Sequence, residues 1–172
     1  MPARRNVAVN LLRFTAVLAG AAVAAIWRRL KPAPDQTLEI SEQTIDKLSE
    51  FRGRAKYVDV PGTIYNGMRP EGSRLAAQEQ LNGLIDRLRE GLPFRPSKKF
   101  VLAEFARTTA EFEATDTEDR EQLLRYLGEI MDILGIASSD GQLSRWLYGP
   151  ILGSIVDYDS KRKVSRISAV EE

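Results

Sequence analysis

Between residues 117 and 149 the chain reads TEDREQLLRYLGEIMDILGIASSDGQLSRWLYG, the strongest helical pattern in the sequence. At about 100° per residue, Leu123, Leu124, Leu127, Ile130, Met131 and Leu134 fall on one arc, with Tyr126 and Ile133 at its edge. That arc covers roughly half the circumference, more than the ~100° stripe of a helix with one buried side. Such a helix must touch several neighbours, so it is expected to be the central helix of a mostly α core. Asp116 or Thr117 can cap its start, and Glu118, Asp119 and Glu121 suit the positive end of the helix dipole. Gly135 supplies the stop, since the residue after a helix often takes a positive φ.

Past the stop, Ser138-Ser139-Asp140-Gly141 reads as a turn or as the cap of a short last helix. Leu143, Trp146 and Leu147 then recur at helical spacing until Gly149-Pro150. In one reading Trp146 and Leu147 close the core, with the Tyr148 hydroxyl at the surface. In the other, Trp146 and Tyr148 form an aromatic edge for a partner. Tyr126, Glu129-Ile130-Met131-Asp132-Ile133-Leu134-Gly135, the Ser138–Gly141 turn and Trp146-Leu147-Tyr148-Gly149 together resemble the C-terminal signature of a small bacterial helical family, domain of unknown function 4844. The resemblance implies a compact helical domain and a bacterial source. It brings no catalytic residues with it.

The amino terminus is a different kind of sequence. Residues 7–27 are apolar apart from Asn10 and Arg13, with Arg4 and Arg5 before them and Arg28, Arg29 and Lys31 after. A run of about 20 residues spans a ~30 Å hydrocarbon layer, and Trp27 suits the interface. A single-pass anchor is the leading expectation, with the domain outside in the periplasm. A cleaved secretory signal and a cytoplasmic protein with a core helix are the alternatives. Lys31-Pro32-Ala33-Pro34-Asp35 reads as a stiff spacer. The expected organisation is an anchor or signal at 1–31, a linker at 32–37, a helical domain at 38–157 and a charged tail at 158–172.

Within the domain, Ser41 is placed to cap a first helix carrying Ile45, Leu48, Phe51 and Ala55 on one face. A second helix is expected from Ser73 to about Gly91, with Ala77, Leu81, Leu84, Ile85 and Leu88 inward. Ser97 caps a third, whose Val101, Leu102, Phe105, Thr108, Thr109 and Phe112 face the core. The fold class is therefore mostly α, a four- to five-helix bundle following an N-terminal hydrophobic helix.

Residues 57–72, YVDVPGTIYNGMRPEG, lose the helical period, though Tyr57-Val58-Asp59-Val60 could form a brief strand. A loop this long with Tyr57, Ile64, Tyr65 and Met68 in it must pack on something or bind something. Gly67, Gly72 and Ser73 echo a phosphate-binding loop, but its lysine is missing.

The chain has no Cys and no His, which removes disulfides, Cys/His zinc sites and Ser-His or Cys-His nucleophile pairs. Its 25 basic and 24 acidic residues nearly cancel, which argues against nucleic-acid binding through phosphates. No cofactor or metal site is predicted. The carboxylates Glu111, Glu113, Asp116, Glu118, Asp119 and Glu121 are the only candidates for acid–base chemistry, and caps explain them as well. The expected function is a non-enzymatic protein-binding module, tethered at a membrane through residues 7–27 or exported. An immunity- or inhibitor-like role suits such a build by analogy of architecture. A carboxylate hydrolase and a structural envelope subunit are the alternatives. The candidate partner-binding residues are Tyr57, Tyr65, Met68, Arg69, Trp146 and Tyr148.

Overall fold

In a computed structural model of the chain, residues 35–59, 61–112 and 116–153 are described. The expected anchor, the start of the linker, Val60, Glu113 and the tail lie outside them. Contacts divide the chain after Pro34, so that Asp35 opens the helical unit.

Five helices follow: α1 Glu42–Gly53, α2 Glu71–Gly91, α3 Lys98–Glu111, α4 Thr117–Ile133 and α5 Gln142–Leu152. Ser41 starts α1 by accepting from the Thr44 amide while the Thr44 side chain accepts from the Ser41 amide, a reciprocal capping box. Ser97 caps α3 through the Phe100 amide. The second helix begins at Glu71, two residues before the expected Ser73, because the Pro70 carbonyl accepts from both Ser73 and Arg74. At the end of α4 the Ile136 amide bonds Met131 O at 2.8 Å and the Gly135 amide bonds Asp132 O at 3.3 Å, with Gly135 at φ 68. That is a Schellman stop, with Ile136 packed into the core.

The helices pack as a ring in which α1 meets α2, α2 meets α3, α3 meets α5, α5 meets α4 and α4 returns to α1. Eight residues of α4 are buried, including Leu123, Leu124, Leu127, Ile130 and Met131 at 0% exposure. Each fully buried aliphatic side chain contributes roughly 1.5–3 kcal/mol relative to exposure, so this helix carries a large share of the core. Between α2 and α3 the helices come close at Gly91, where a Cβ would lie 2.3 Å from the Phe100 ring.

The chain runs up and down, which gives the domain two ends. At the leading end Thr37 bridges Ser97 in antiparallel fashion, Leu38 N–H bonds Pro96 O, Lys98 N–H bonds Gln36 O, and Lys98 pairs with Asp140. At the loop end the described part of the α1–α2 loop meets the end of α3 at Phe112 and the start of α4 at Asp119. The α2 helix joins the two ends. Its 21 residues span about 31 Å at ~1.5 Å each.

Two local expectations change. Residues 57–59 form no strand, because Tyr57 sits at φ 56, where an extended chain cannot continue. Ala55 is exposed, because α1 stops at Gly53 and Arg54 turns extended. The Gly149 break is present as φ 79, ψ 172, but helical hydrogen bonding resumes through Pro150 to Leu152. Among the described residues no helix is long and apolar enough to cross a membrane.

Candidate functional site

The loop end is where the domain departs most from a plain bundle. After α1 the chain turns at Arg54, and Lys56 drops into the interior with 0% exposure. Its ammonium donates to the carbonyls of Phe51 at 2.7 Å, Arg54 at 2.9 Å and Arg52 at 3.1 Å, and lies 4.8 Å from the Phe51 ring centre. The Phe51 carbonyl also accepts from the Arg54 amide at 3.4 Å, and Lys56 adds a side-chain cap at the end of its own preceding helix. Burial, and then the charge of Arg54, pushes the amine down to about 8. On its other side the Lys56 amide donates to Gln78 at 2.9 Å, and Arg74 donates to the Lys56 carbonyl. Arg54 also pairs with Glu129 of α4.

Tyr57 comes next, buried and in the left-handed region. Its amide donates to the Tyr126 hydroxyl at 2.8 Å, and the two rings meet edge to face at 5.1 Å. The row continues through Phe112, stacked on Tyr57 at 5.9 Å, to Trp146 at 6.2 Å from Phe112. The Tyr57 hydroxyl is buried without a hydrogen-bond partner among the described residues, and burial raises its pKa far above the usual phenol range. A neutral phenol is what this position requires.

The loop then leaves the core and comes back. Ile64 stands 79% exposed, whereas Tyr65 is 4% exposed and donates its hydroxyl to Asp119 at 2.6 Å. Burial, and then the bond to Asp119 with its negative charge, lifts the Tyr65 pKa well above normal. Gly67 lets the chain fold back: at φ 77 it brings its own backbone so close that a Cβ would lie 2.8 Å from the Asp59 amide nitrogen. The Met68 amide then bonds Tyr57 O at 2.9 Å, and Met68 is buried. The loop is thus pinned at Lys56, Tyr57, Tyr65 and Met68, with residues 61–64 and Arg69 left in solvent.

The profile of a family described as Domain of unknown function (DUF4844) matches residues 39–150, which include this loop and all but the last turn of α5. The chain belongs to that family. The DUF4844 domain is also similar in fold to a crystal structure of a DUF3571 family protein from Acinetobacter baumannii. The TM-score is 0.57 at 24% identity, over 65% of this chain and 94% of that one, so the likeness bears on the fold alone. No curated protein matches the chain.

Of the six residues singled out in the sequence, the DUF4844 fold gathers five at the loop end or along its aromatic row. Tyr57, Tyr65 and Met68 are internal, Arg69 is exposed, and Trp146 is half-buried. Trp146 donates its indole N–H to Thr109 O at 3.0 Å, and its carbonyl takes a bond from Arg120 at 2.8 Å. The Arg120 guanidinium lies 4.8 Å from the Trp146 ring centre. Tyr148 is half-buried, two residues further along α5. Periodicity could not reveal Lys56, Tyr126 or Asp119 as the groups that hold the loop. Of the carboxylates considered for catalysis, Asp119 is taken up by Tyr65 and Glu111 pairs with Arg107. Among the described residues no group of three or more acidic side chains is arranged to hold a metal ion.

Proposed function

We propose that this DUF4844 domain is a non-enzymatic protein-binding module, held at or exported across a bacterial membrane, which recognises its partner with the α1–α2 loop. One observation carries the reading: Ile64 is 79% exposed on a loop whose two flanks are locked into the core by Tyr57, Tyr65 and Met68. A large apolar group in water on an ordered support loses little conformational entropy when it docks, which is how preorganised loops gain affinity. Arg69 adds a charged group on the same loop. The buried tyrosines act as the loop's scaffold and Ile64 and Arg69 as its contact groups.

The test is photocrosslinking in living cells with the full-length chain. A crosslinking residue at position 64 or 69 is expected to trap the same discrete protein adduct. The same residue at exposed Gln43 on α1 should give none. Adducts indistinguishable between the loop and Gln43, or no adduct from the loop, overturn the reading.

A further inference from the structure

The leading end carries a cleft beside an open backbone edge. Leu38 N–H donates to Pro96 O at 2.8 Å and Lys98 N–H to Gln36 O at 2.9 Å, which pairs the two segments around Thr37 and Ser97. In this antiparallel pattern the central residues set their side chains on one face and turn their own N–H and C=O groups away from each other. The groups of Ser97 are used locally: its amide donates to Arg95 O and its carbonyl accepts from Val101. Thr37 is exposed and makes no hydrogen bond of its own among the described residues. It therefore presents a backbone donor and a backbone acceptor on the side away from Ser97.

Next to that edge lies an open cleft of about 520 Å³, lined by Thr37, Pro96, Phe100 and Ala103 and by two cations, Arg95 and Lys99. The Arg95 guanidinium stacks on the Phe100 ring, 4.4 Å from its centre. Stacking fixes the plane of the guanidinium and leaves the N–H groups in that plane available. Neither the Arg95 nor the Lys99 side chain has a hydrogen bond or an ion pair among the described residues, whereas Lys98 is neutralised by Asp140. Arg95 also borders a smaller cleft that holds Glu90 and Glu104, and it pairs with neither. The charge belongs to the two side chains and not to the helix end, because the first amides of α3 already bond Gln36, Asp35 and Ser97. Asp35 offsets part of the Lys99 charge, which leaves Arg95 as the stronger anchor.

From these observations we infer that the cleft receives an extended acidic segment of a partner protein, with a carboxylate on the Arg95 guanidinium and the segment's backbone along Thr37. A guanidinium held in one plane matches the two oxygens of a carboxylate in a charge-assisted pair. An extended segment places alternate side chains on the same side, so an acid at Arg95 and another near Lys99 suit a strand-like ligand. Bonds to the Thr37 backbone would add affinity that depends little on the ligand's sequence. The walls of Pro96, Phe100 and Ala103 offer apolar contact beside the charge, which a bare inorganic anion does not use. The cleft is separate from the α1–α2 loop, so the inference does not rest on the loop as a binding site.

The probe is a capped hexapeptide of alternating valine and glutamate carrying a fluorophore, titrated against the full-length chain by anisotropy. It is expected to bind, and the same peptide with glutamine for glutamate to bind about ten-fold more weakly. Arg95→Gln should weaken the acidic peptide about ten-fold, Lys99→Gln by less, and Lys47→Gln on the exposed face of α1 not at all. Exchange of the Thr37 amide should slow in the complex. Urea midpoints equal to the parent's establish that each variant is folded. Absence of binding, binding that Arg95→Gln leaves intact, or binding without protection of Thr37 overturns the inference. Glutarate or inorganic phosphate that displaces the peptide at concentrations matching the peptide's own would make the cleft a small-anion site and overturn the polypeptide ligand.

Discussion

The two ends of the bundle are built by different means. At the leading end the chain is fastened mainly by backbone: Leu38 to Pro96, Lys98 to Gln36, and the Thr37–Ser97 bridge. Bonds of that kind depend little on which side chains are present, so the surface there is free to carry exposed Phe94 and Arg95. The loop end is fastened by side chains. Lys56 caps α1, the Tyr126 hydroxyl receives the Tyr57 amide, and Asp119 receives Tyr65. Buried polar groups that satisfy one another specify a single geometry, and losing one member strands the rest. The difference teaches where sequence change is tolerated and where it is not.

The largest effect is expected at the centre of the loop end. Tyr57→Ala removes a fully buried ring that packs on two aromatic neighbours, Phe112 and Tyr126. It should cost about 3–5 kcal/mol in urea unfolding, as for other buried aromatics cut to Ala. A cost below about 1 kcal/mol would show that the row does not hold the loop. Gly67→Ala comes next, at roughly 1–3 kcal/mol, because the new Cβ meets the Asp59 amide at 2.8 Å and φ 77 disfavours it.

Alkaline pH sharpens the comparison further. Lys56 titrates near 8 in the folded domain against 10.5 when unperturbed, so between these values the unfolded chain binds a proton that the folded one has lost. Stability should therefore rise with pH from about 8. Tyr57 and Tyr65 act in the opposite sense: held above their ordinary 10, they keep protons that the unfolded chain releases, so stability falls above pH 10. Denaturant midpoints against pH should pass through a maximum between these limits. Lys56→Met should abolish the rising limb and keep the falling one. A rising limb that survives the substitution would assign it to another group.

Much of the leading end could be read in the sequence, and little of the loop end could. Helix α4 announces itself because its buried residues recur with the helical period and Gly135 closes it. Ser41 and Ser97 are legible as caps because the bonds they make are three residues away. The contacts that hold the loop join residues far apart: Tyr57 with Tyr126 across 69 positions and Tyr65 with Asp119 across 54. Nothing local encodes such pairings. Lys56 is harder still, since a lysine is almost never fully buried without partners, and its partners here are carbonyls that every sequence has. Helix α2 starts two residues ahead of Ser73 for a related reason: the carbonyl of Pro70 does the capping expected of the Ser73 side chain.

The smaller predictions separate the ends most cleanly. Tyr65→Phe keeps the ring and loses the bond to Asp119, so it should cost about 1 kcal/mol and speed amide exchange in residues 61–68 ahead of the rest of the domain. Phe94→Ser, at the most exposed large apolar side chain among the described residues, should stay within about 0.5 kcal/mol of the parent in the same urea titration. A large loss at Phe94 would mean that the connector is held by its side chains after all, and the contrast between a backbone-fastened end and a side-chain-fastened end would fail. Near-neutrality at Phe94 beside a measurable cost at Tyr65 would leave one apolar residue on the leading end that the fold does not need, which is the condition for that residue to serve a surface outside the domain.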